Sequence, residues 1–224
     1  MIADILRNYR TFKKYAMWDR APFFELAKKY AEGKRVIVDI GPGNDRFAKL
    51  LGRPDAHLLE GNAESAHALI SAFPNTKEYR APDPLPFADE SVDFIHLSHI
   101  VEHLEPAALY ALLQEINRVL AREGVLVISA PLSNERFYDD LSHVRPYPPG
   151  VFFKYLTRGE ANCVTRPIIS NAFIEKELMY RYTPVTAPQV YHNFLWRMGA
   201  LLVKKLGGAR YERSGFTLVL QKIV

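Results

Sequence analysis

The strongest constraint on this chain is a short apolar run, Arg35-Val-Ile-Val-Asp39-Ile40, that breaks at once into Gly41-Pro42-Gly43. A β-branched run of this length reads as a buried strand, and glycines at its end let the backbone turn tightly and approach a ligand closely. The next hundred residues keep the same rhythm. The pattern predicts a helix over 45–51, a strand over 57–60 stopped by Gly61-Asn62, and a helix over 63–73. It then predicts a short strand over 77–79, a strand over 92–97, an amphipathic helix over 106–120 and a strand over 124–130. Strands alternating with helices imply parallel βαβ units with right-handed crossovers, so the fold class is α/β with helices on both faces of the sheet. The last apolar segment, 215–223, has no helix after it and is expected to join the sheet antiparallel, at or near an edge.

Charge is unevenly spread. Residues 1–30 carry 7 Lys/Arg against 3 Asp/Glu, residues 31–182 carry 16 against 21, and residues 183–224 carry 6 against 1. The basic ends permit a nucleic-acid partner, but an acidic middle argues against a broad phosphate track. The single cysteine, Cys163, excludes an internal disulfide and fits a reducing compartment. No signal-like or membrane-spanning run is visible, so the expected location is the cytoplasm.

Glycine-rich turns after a first strand serve several nucleotide ligands. A dinucleotide site needs a third glycine where this chain has Arg46. A nicotinamide oxidoreductase is further disfavoured because no Tyr-x-x-x-Lys pair stands at catalytic spacing. The alternative pattern, an acid followed by Gly-x-Gly-x-Gly, is met by Asp39, Gly41 and Gly43, with Asp45 in place of the last glycine. Glu60, 17 residues after Gly43, ends the second strand, where a carboxylate can accept both hydrogen bonds of a ribose diol.

Two longer stretches carry a resemblance. Asp83-Pro-Leu85-Pro86-Phe87-Ala-Asp89-Glu-Ser91-Val92-Asp93-Phe94 leads into Ser98-His99-Ile-Val-Glu102-His103-Leu104. Glu115-Ile-Asn-Arg118-Val-Leu120 leads into Gly124 and Pro131. Together these resemble the signature of class I S-adenosylmethionine-dependent methyltransferases, in the ubiquinone-biosynthesis-like "type 11" group. The resemblance covers residues 34–131 and implies a Rossmann-like sheet, mostly parallel with a final antiparallel strand.

The resemblance also implies roles. Gly41, Pro42 and Gly43 would pass under the methionine part of S-adenosyl-L-methionine, Asp39 would hold its ammonium and Glu60 its ribose. The loop before Leu85, with Asp83, would bracket adenine, although Ala81 stands where the family usually has an acid. Ser98 and His99 would lie beside the sulfonium and the acceptor. The whole chain is then expected to be one methyltransferase domain. It would comprise a helical cap (1–33), a cofactor-binding core (34–131), an acceptor-side loop, helix and strand (132–182), an amphipathic helical insertion (183–209) and a final strand (210–224).

Methyl transfer is a displacement in which alignment does most of the work, but an oxygen or nitrogen acceptor must also lose a proton. His99 and His143 are the candidate bases. Asp140, His143, Arg145 and Tyr147, in the loop after the fifth strand, are the candidate acceptor-binding residues, Arg145 being able to hold an anion. His99, Glu102 and His103 are spaced to share a helix face, and His143 would complete a metal set; the expectation is that no metal is bound. The expected substrate is a small polar acceptor, foremost a saccharide hydroxyl. N-methylation of a metabolite and a non-catalytic binding module are the alternatives. Nucleic-acid methylation is disfavoured further by the absence of an Asp/Asn-Pro-Pro-aromatic motif after the fourth strand. Residues 191–206 form a basic, Trp-bearing amphipathic pattern, expected as a lid, a dimer surface or a peripheral membrane contact. Tyr15, Trp18, Phe23 and Phe24 are expected to cover the cofactor, in a monomer or homodimer.

Overall fold

The computed structural model describes residues 20–43, 45–134, 136–157, 166–184, 198–199 and 211–224. The expectations for Tyr15, Trp18 and most of the 191–206 segment lie outside the described residues.

Seven strands form one sheet: β1 (Ile37–Ile40), β2 (His57–Glu60), β3 (Thr76–Glu78), β4 (Val92–Ser98), β5 (Leu120–Pro131), β6 (Phe173–Pro184) and β7 (Tyr211–Lys222). Their order is β3-β2-β1-β4-β5-β7-β6. The first five are parallel, and β7 runs antiparallel between β5 and β6. The last strand therefore lies one position in from the edge, and β6 takes the edge itself. The helices are α1 (Ala21–Ala31), α2 (Arg46–Leu51), α3 (Ala63–Ile70), α4 (Pro106–Val119) and α5 (Pro149–Leu156).

Strict alternation divides the sheet into two buried faces. Ile37, Phe94, Val125, Val127 and Val219 pack with Phe24, Leu26 and Ala27 of α1 and Phe47 of α2. Val38, Ile40, Ile95, Leu97, Leu126, Ile128, Leu218 and Leu220 pack with Leu112, Leu113 and Ile116 of α4 and Phe152 of α5. A sheet covered on both faces accounts for strands that read as nearly continuous apolar runs.

Two parts of the family signature meet here as a structural clasp. Arg118 donates to the carbonyls of Leu85 and Phe87 and to Asp89, while Glu115 receives the Leu85 N–H at 2.9 Å and pairs with Arg118 at 2.7 Å. The loop after β3 is thus tied to α4, with Leu85 buried in the core.

The chain runs outward from β1 to β3 and then resumes on the other side of β1 with β4. The carboxyl ends of β1 and β4 therefore border the crevice where strand order reverses, the place where open α/β sheets bind ligands.

Candidate active site

The loops after β1, β2 and β4 all open onto this crevice. Gly41 has φ +71°, and its N–H donates to the Leu59 carbonyl at 2.8 Å. A Cβ placed there would stand 2.0 Å from Ile100 Cδ1, so Ile100 rests directly on the glycine. This contact divides the crevice into two cavities. One, of about 400 Å³, is walled by Ile40, Leu59, Tyr79, Arg80, Ala81 and Leu104. The other, of about 480 Å³, is walled by Asp39, Gly43, Arg46, Phe47, Ser98 and His99, with Arg20 and Phe24 of the α1 segment and Glu60. Gly41 and Ile100 border both.

Asp45 explains the irregular glycine pattern. It adopts φ 57°, the left-handed conformation that the third glycine would supply, and aspartate is among the residues that tolerate it. Its carboxylate pairs with Lys49 at 3.0 Å. Glu60 lines the second cavity, next to Gly61 and Asn62 of the first, and receives the N–H groups of Gly43 at 3.2 Å and Asn62 at 3.0 Å. Each oxygen accepts one of these bonds and so keeps lone-pair capacity toward the crevice.

Asp39 is almost fully buried and receives a hydrogen bond from His96 Nδ1 at 2.8 Å. His96 is itself buried, its ring tilted against that of Phe47 with centroids 4.0 Å apart, and among the described residues its Nε2 has no partner. Sequence reading missed this pair. The signal was present: His96 is the polar intruder in Phe94-Ile95-His96-Leu97, on the same face as Phe94.

His99 also has a left-handed backbone, φ 60°, with its N–H on the Ser129 carbonyl at 2.8 Å. It precedes a single 3-10 turn (Val101–His103) rather than opening a helix, so the expected shared helix face with Glu102 and His103 does not form. Instead, His99 Nδ1 approaches Glu102 Oε1 at 2.9 Å from one side. Among the described residues, no well-formed hydrogen bond reaches either carboxylate oxygen of this fully buried residue. Burial lowers the His99 pKa; contact with Glu102 opposes this, and the positive charges of Arg20 and Arg181 add to it.

On the other side, Glu102, His103 and His143 bring one ligand atom each within 4.8 Å of one another. Both imidazoles give Nδ1–H to backbone carbonyls, His103 to Ser142 at 3.1 Å and His143 to Phe137 at 2.6 Å. The turn also carries the acceptor-side loop, since the Glu102 carbonyl receives the N–H groups of Val144 and Arg145.

The remaining sequence candidates fall in different places. Asp83 is exposed, its carbonyl holding the Tyr79 hydroxyl, and neither it nor Leu85 lines either cavity. Arg80 and Ala81 do line one. Tyr147 is buried with its hydroxyl committed to the Leu104 carbonyl at 2.8 Å, which makes it a buttress of the loop. Asp140 is exposed and accepts the Ser142 N–H and hydroxyl, which hold its pKa down. Arg145 lies over the Tyr147 ring, 5.5 Å from its centroid, and makes no ion pair with Asp140.

Comparison with known proteins gives this geometry its context. The family model for a methyltransferase domain matches residues 25–128. No functionally curated protein matches the sequence. A S-adenosylmethionine-dependent methyltransferase from Archaeoglobus fulgidus shares the fold with a TM-score of 0.63 and 19% identity, over 96% of this chain and 99% of that one. A putative sarcosine dimethylglycine methyltransferase from Galdieria sulphuraria aligns with a TM-score of 0.57 and 15% identity, over 90% and 82%. Geranyl diphosphate C-methyltransferase from Streptomyces coelicolor, solved with Mg2+, geranyl diphosphate and S-adenosyl-L-homocysteine, aligns with a TM-score of 0.51 and 12% identity, over 92% and 79%. The matched domain over residues 25–128, the seven-stranded sheet and the crevice at its switch point together show that the chain carries an S-adenosylmethionine-dependent methyltransferase domain of the class I fold.

Proposed function

We propose that the chain methylates a hydroxyl of a small polar acceptor, with a saccharide or similar metabolite as the leading class and His99 as the general base. The observation that carries this reading is His99 itself. It is a partly buried imidazole at the end of β4, in the wall of the cavity that contains Gly43 and Asp39, with a buried carboxylate against its Nδ1.

The crevice fits the cofactor. Two cavities joined across a glycine suit a ligand with an aromatic base at one end and an amino acid at the other. In this reading Ile40, Leu59, Tyr79 and Ala81 surround adenine, Glu60 takes the ribose diol, and Asp39 and the Gly41–Gly43 turn hold the methionine end. His96 fixes one Asp39 oxygen, so the carboxylate is oriented before the cofactor arrives. When bound, the cofactor supplies a methyl group on sulfonium sulfur, a good leaving group that departs as a neutral thioether. The residues of this chain align the acceptor and remove its proton. When the acceptor is methylated, its hydroxyl proton would pass to His99 Nε2. Glu102 beside Nδ1 stabilises the resulting imidazolium.

His99 must be neutral to accept a proton, and burial lowers its pKa. Activity is therefore expected to be full at neutral pH and to fall on the acid side as His99 protonates. Glu102 raises the His99 pKa against the effect of burial. Glu102→Gln should therefore move the acid limb of kcat/KM to lower pH while reducing kcat. A pH–rate profile of both proteins, with a labelled methyl group and a panel of sugars, checks this. An acid limb that stays in place would show that another group titrates.

No helix of the described residues is long and apolar enough to cross a membrane. We place the protein in the cytoplasm, as one methyltransferase domain acting on a small-molecule acceptor.

A further inference from the structure

Glu102 is fully buried, yet among the described residues no well-formed hydrogen bond reaches either of its carboxylate oxygens. A carboxylate withdrawn from water without donors is costly, and a bound cation relieves that cost. The backbone of the same residue is fully used. Its carbonyl receives the N–H groups of Val144 at 2.8 Å and Arg145 at 3.4 Å. These bonds hold the acceptor-side loop on the turn after β4, and with it His143 beside Glu102 and His103.

Both imidazoles are presented in the same way. A carbonyl oxygen cannot donate, so the contacts of His103 Nδ1 with Ser142 and of His143 Nδ1 with Phe137 put a proton on Nδ1 in each ring. In the neutral rings Nε2 then carries the lone pair. A carbonyl that holds one imidazole nitrogen while the other faces an ion is the usual support of a histidine ligand, because it fixes both tautomer and ring orientation. The ring centroids lie 4.9 Å apart. One ligand atom from each ring and one from Glu102 fall within 4.8 Å of one another. Ligands about 2.1 Å from one ion stand roughly 3–4 Å apart, so small side-chain rotations close the set. Both histidines are partly exposed, which leaves a way in for an ion, and Asp140 Oδ2 lies 3.9 Å from His143 Nε2. His99 stands outside the set, 2.9 Å from Glu102 Oε1; a carboxylate has two oxygens and can meet an imidazole with one and a cation with the other.

We propose that Glu102, His103 and His143 bind a divalent transition-metal ion, against the expectation from the sequence that none is bound. Two imidazoles and one carboxylate suit zinc, cobalt or ferrous iron; magnesium prefers oxygen ligands alone. His103 also walls the cavity of about 400 Å³, so the ion pins the acceptor-side loop to the edge of the crevice. The site does not depend on the assignment of His99 as base.

The test uses the full chain, stripped of metal, in a Cys163→Ser background that removes its single thiol. Zn2+ and Mg2+ are titrated calorimetrically. One Zn2+ should bind per chain with a micromolar or lower Kd, and Mg2+ should not bind at the same concentrations. His103→Gln and His143→Gln should each weaken Zn2+ binding by more than the roughly 10- to 100-fold that loss of an outer partner costs a metal site. His67→Gln, exposed on α3, should leave it unchanged. Nitrogen NMR of the unsubstituted histidines guards against a variant that fails to fold: Zn2+ should move the Nε2 resonances of His103 and His143. Absence of Zn2+ binding, equal affinity in His143→Gln and His67→Gln, or Mg2+ binding as tight as that of Zn2+ would overturn the site. A ligand and a base both need Nε2 of His143, so a base role for His143 would overturn it as well.

Discussion

His99→Asn is expected to lower kcat by roughly 10²- to 10⁴-fold, the range over which a positioned general base contributes, while leaving affinity for S-adenosyl-L-homocysteine little changed. Asparagine is the informative replacement because residue 99 has φ 60°. Asparagine and histidine both enter the left-handed region more readily than most side chains, so the substitution removes the imidazole without adding much backbone strain. The geometry behind the expectation is specific. His99 Nδ1 stands 2.9 Å from Glu102, which leaves Nε2 as the atom that can take a proton. Burial lowers the pKa, so Nε2 carries a lone pair at neutral pH. A single-turnover assay separates this from slow product release. A loss of less than about tenfold would move the base to His143, whose Nδ1 is likewise occupied by a carbonyl.

Gly41→Ala is expected to damage cofactor binding more than any exchange of a polar contact. The residue has φ +71°, and a left-handed backbone costs an L-residue about 1–2 kcal/mol. The added methyl would also lie 2.0 Å from Ile100 Cδ1 and 2.7 Å from Cγ1. Ile100 can swing aside, but it borders both cavities, so wherever it goes it enters space that the cofactor needs. Affinity for S-adenosyl-L-homocysteine should fall by tenfold or more, about 1.4 kcal/mol or above. Thermal stability should fall by a few degrees, the ordinary effect of about 1–2 kcal/mol in a chain of this size. The double variant Gly41→Ala/Ile100→Ala distinguishes the two causes. It should recover the steric part of the affinity and none of the backbone strain, so the melting temperature stays low.

Much of the cofactor half was legible because it rests on local patterns. The run 36–40, the glycine turn, Glu60 at a strand end and the amphipathic α4 each announce themselves within a dozen residues, and all lie close to their expected positions. What the sequence concealed depends on contacts between distant segments. The Asp39–His96 pair joins two strands 57 residues apart. β7 inserts between β5 and β6, an order that periodicity does not specify. Leu85 and Tyr147 sit in motifs that resemble functional ones, yet one is core and the other a buttress, because the same motifs also serve to tie loops to α4 and to the turn after β4. His99 shows the limit of spacing arguments. Its distance from Glu102 in sequence suits a helix face, but its left-handed backbone brings the two together by another route.

The central claim is that one cofactor spans the two cavities with its ribose on Glu60. Calorimetric titration of wild type and Glu60→Gln with S-adenosyl-L-homocysteine and with NAD tests it most directly. The account predicts micromolar binding of S-adenosyl-L-homocysteine to the wild type, at least tenfold weaker binding to Glu60→Gln, and no binding of NAD to either. Equal affinity in wild type and Glu60→Gln, or binding of NAD in preference to S-adenosyl-L-homocysteine, would contradict it.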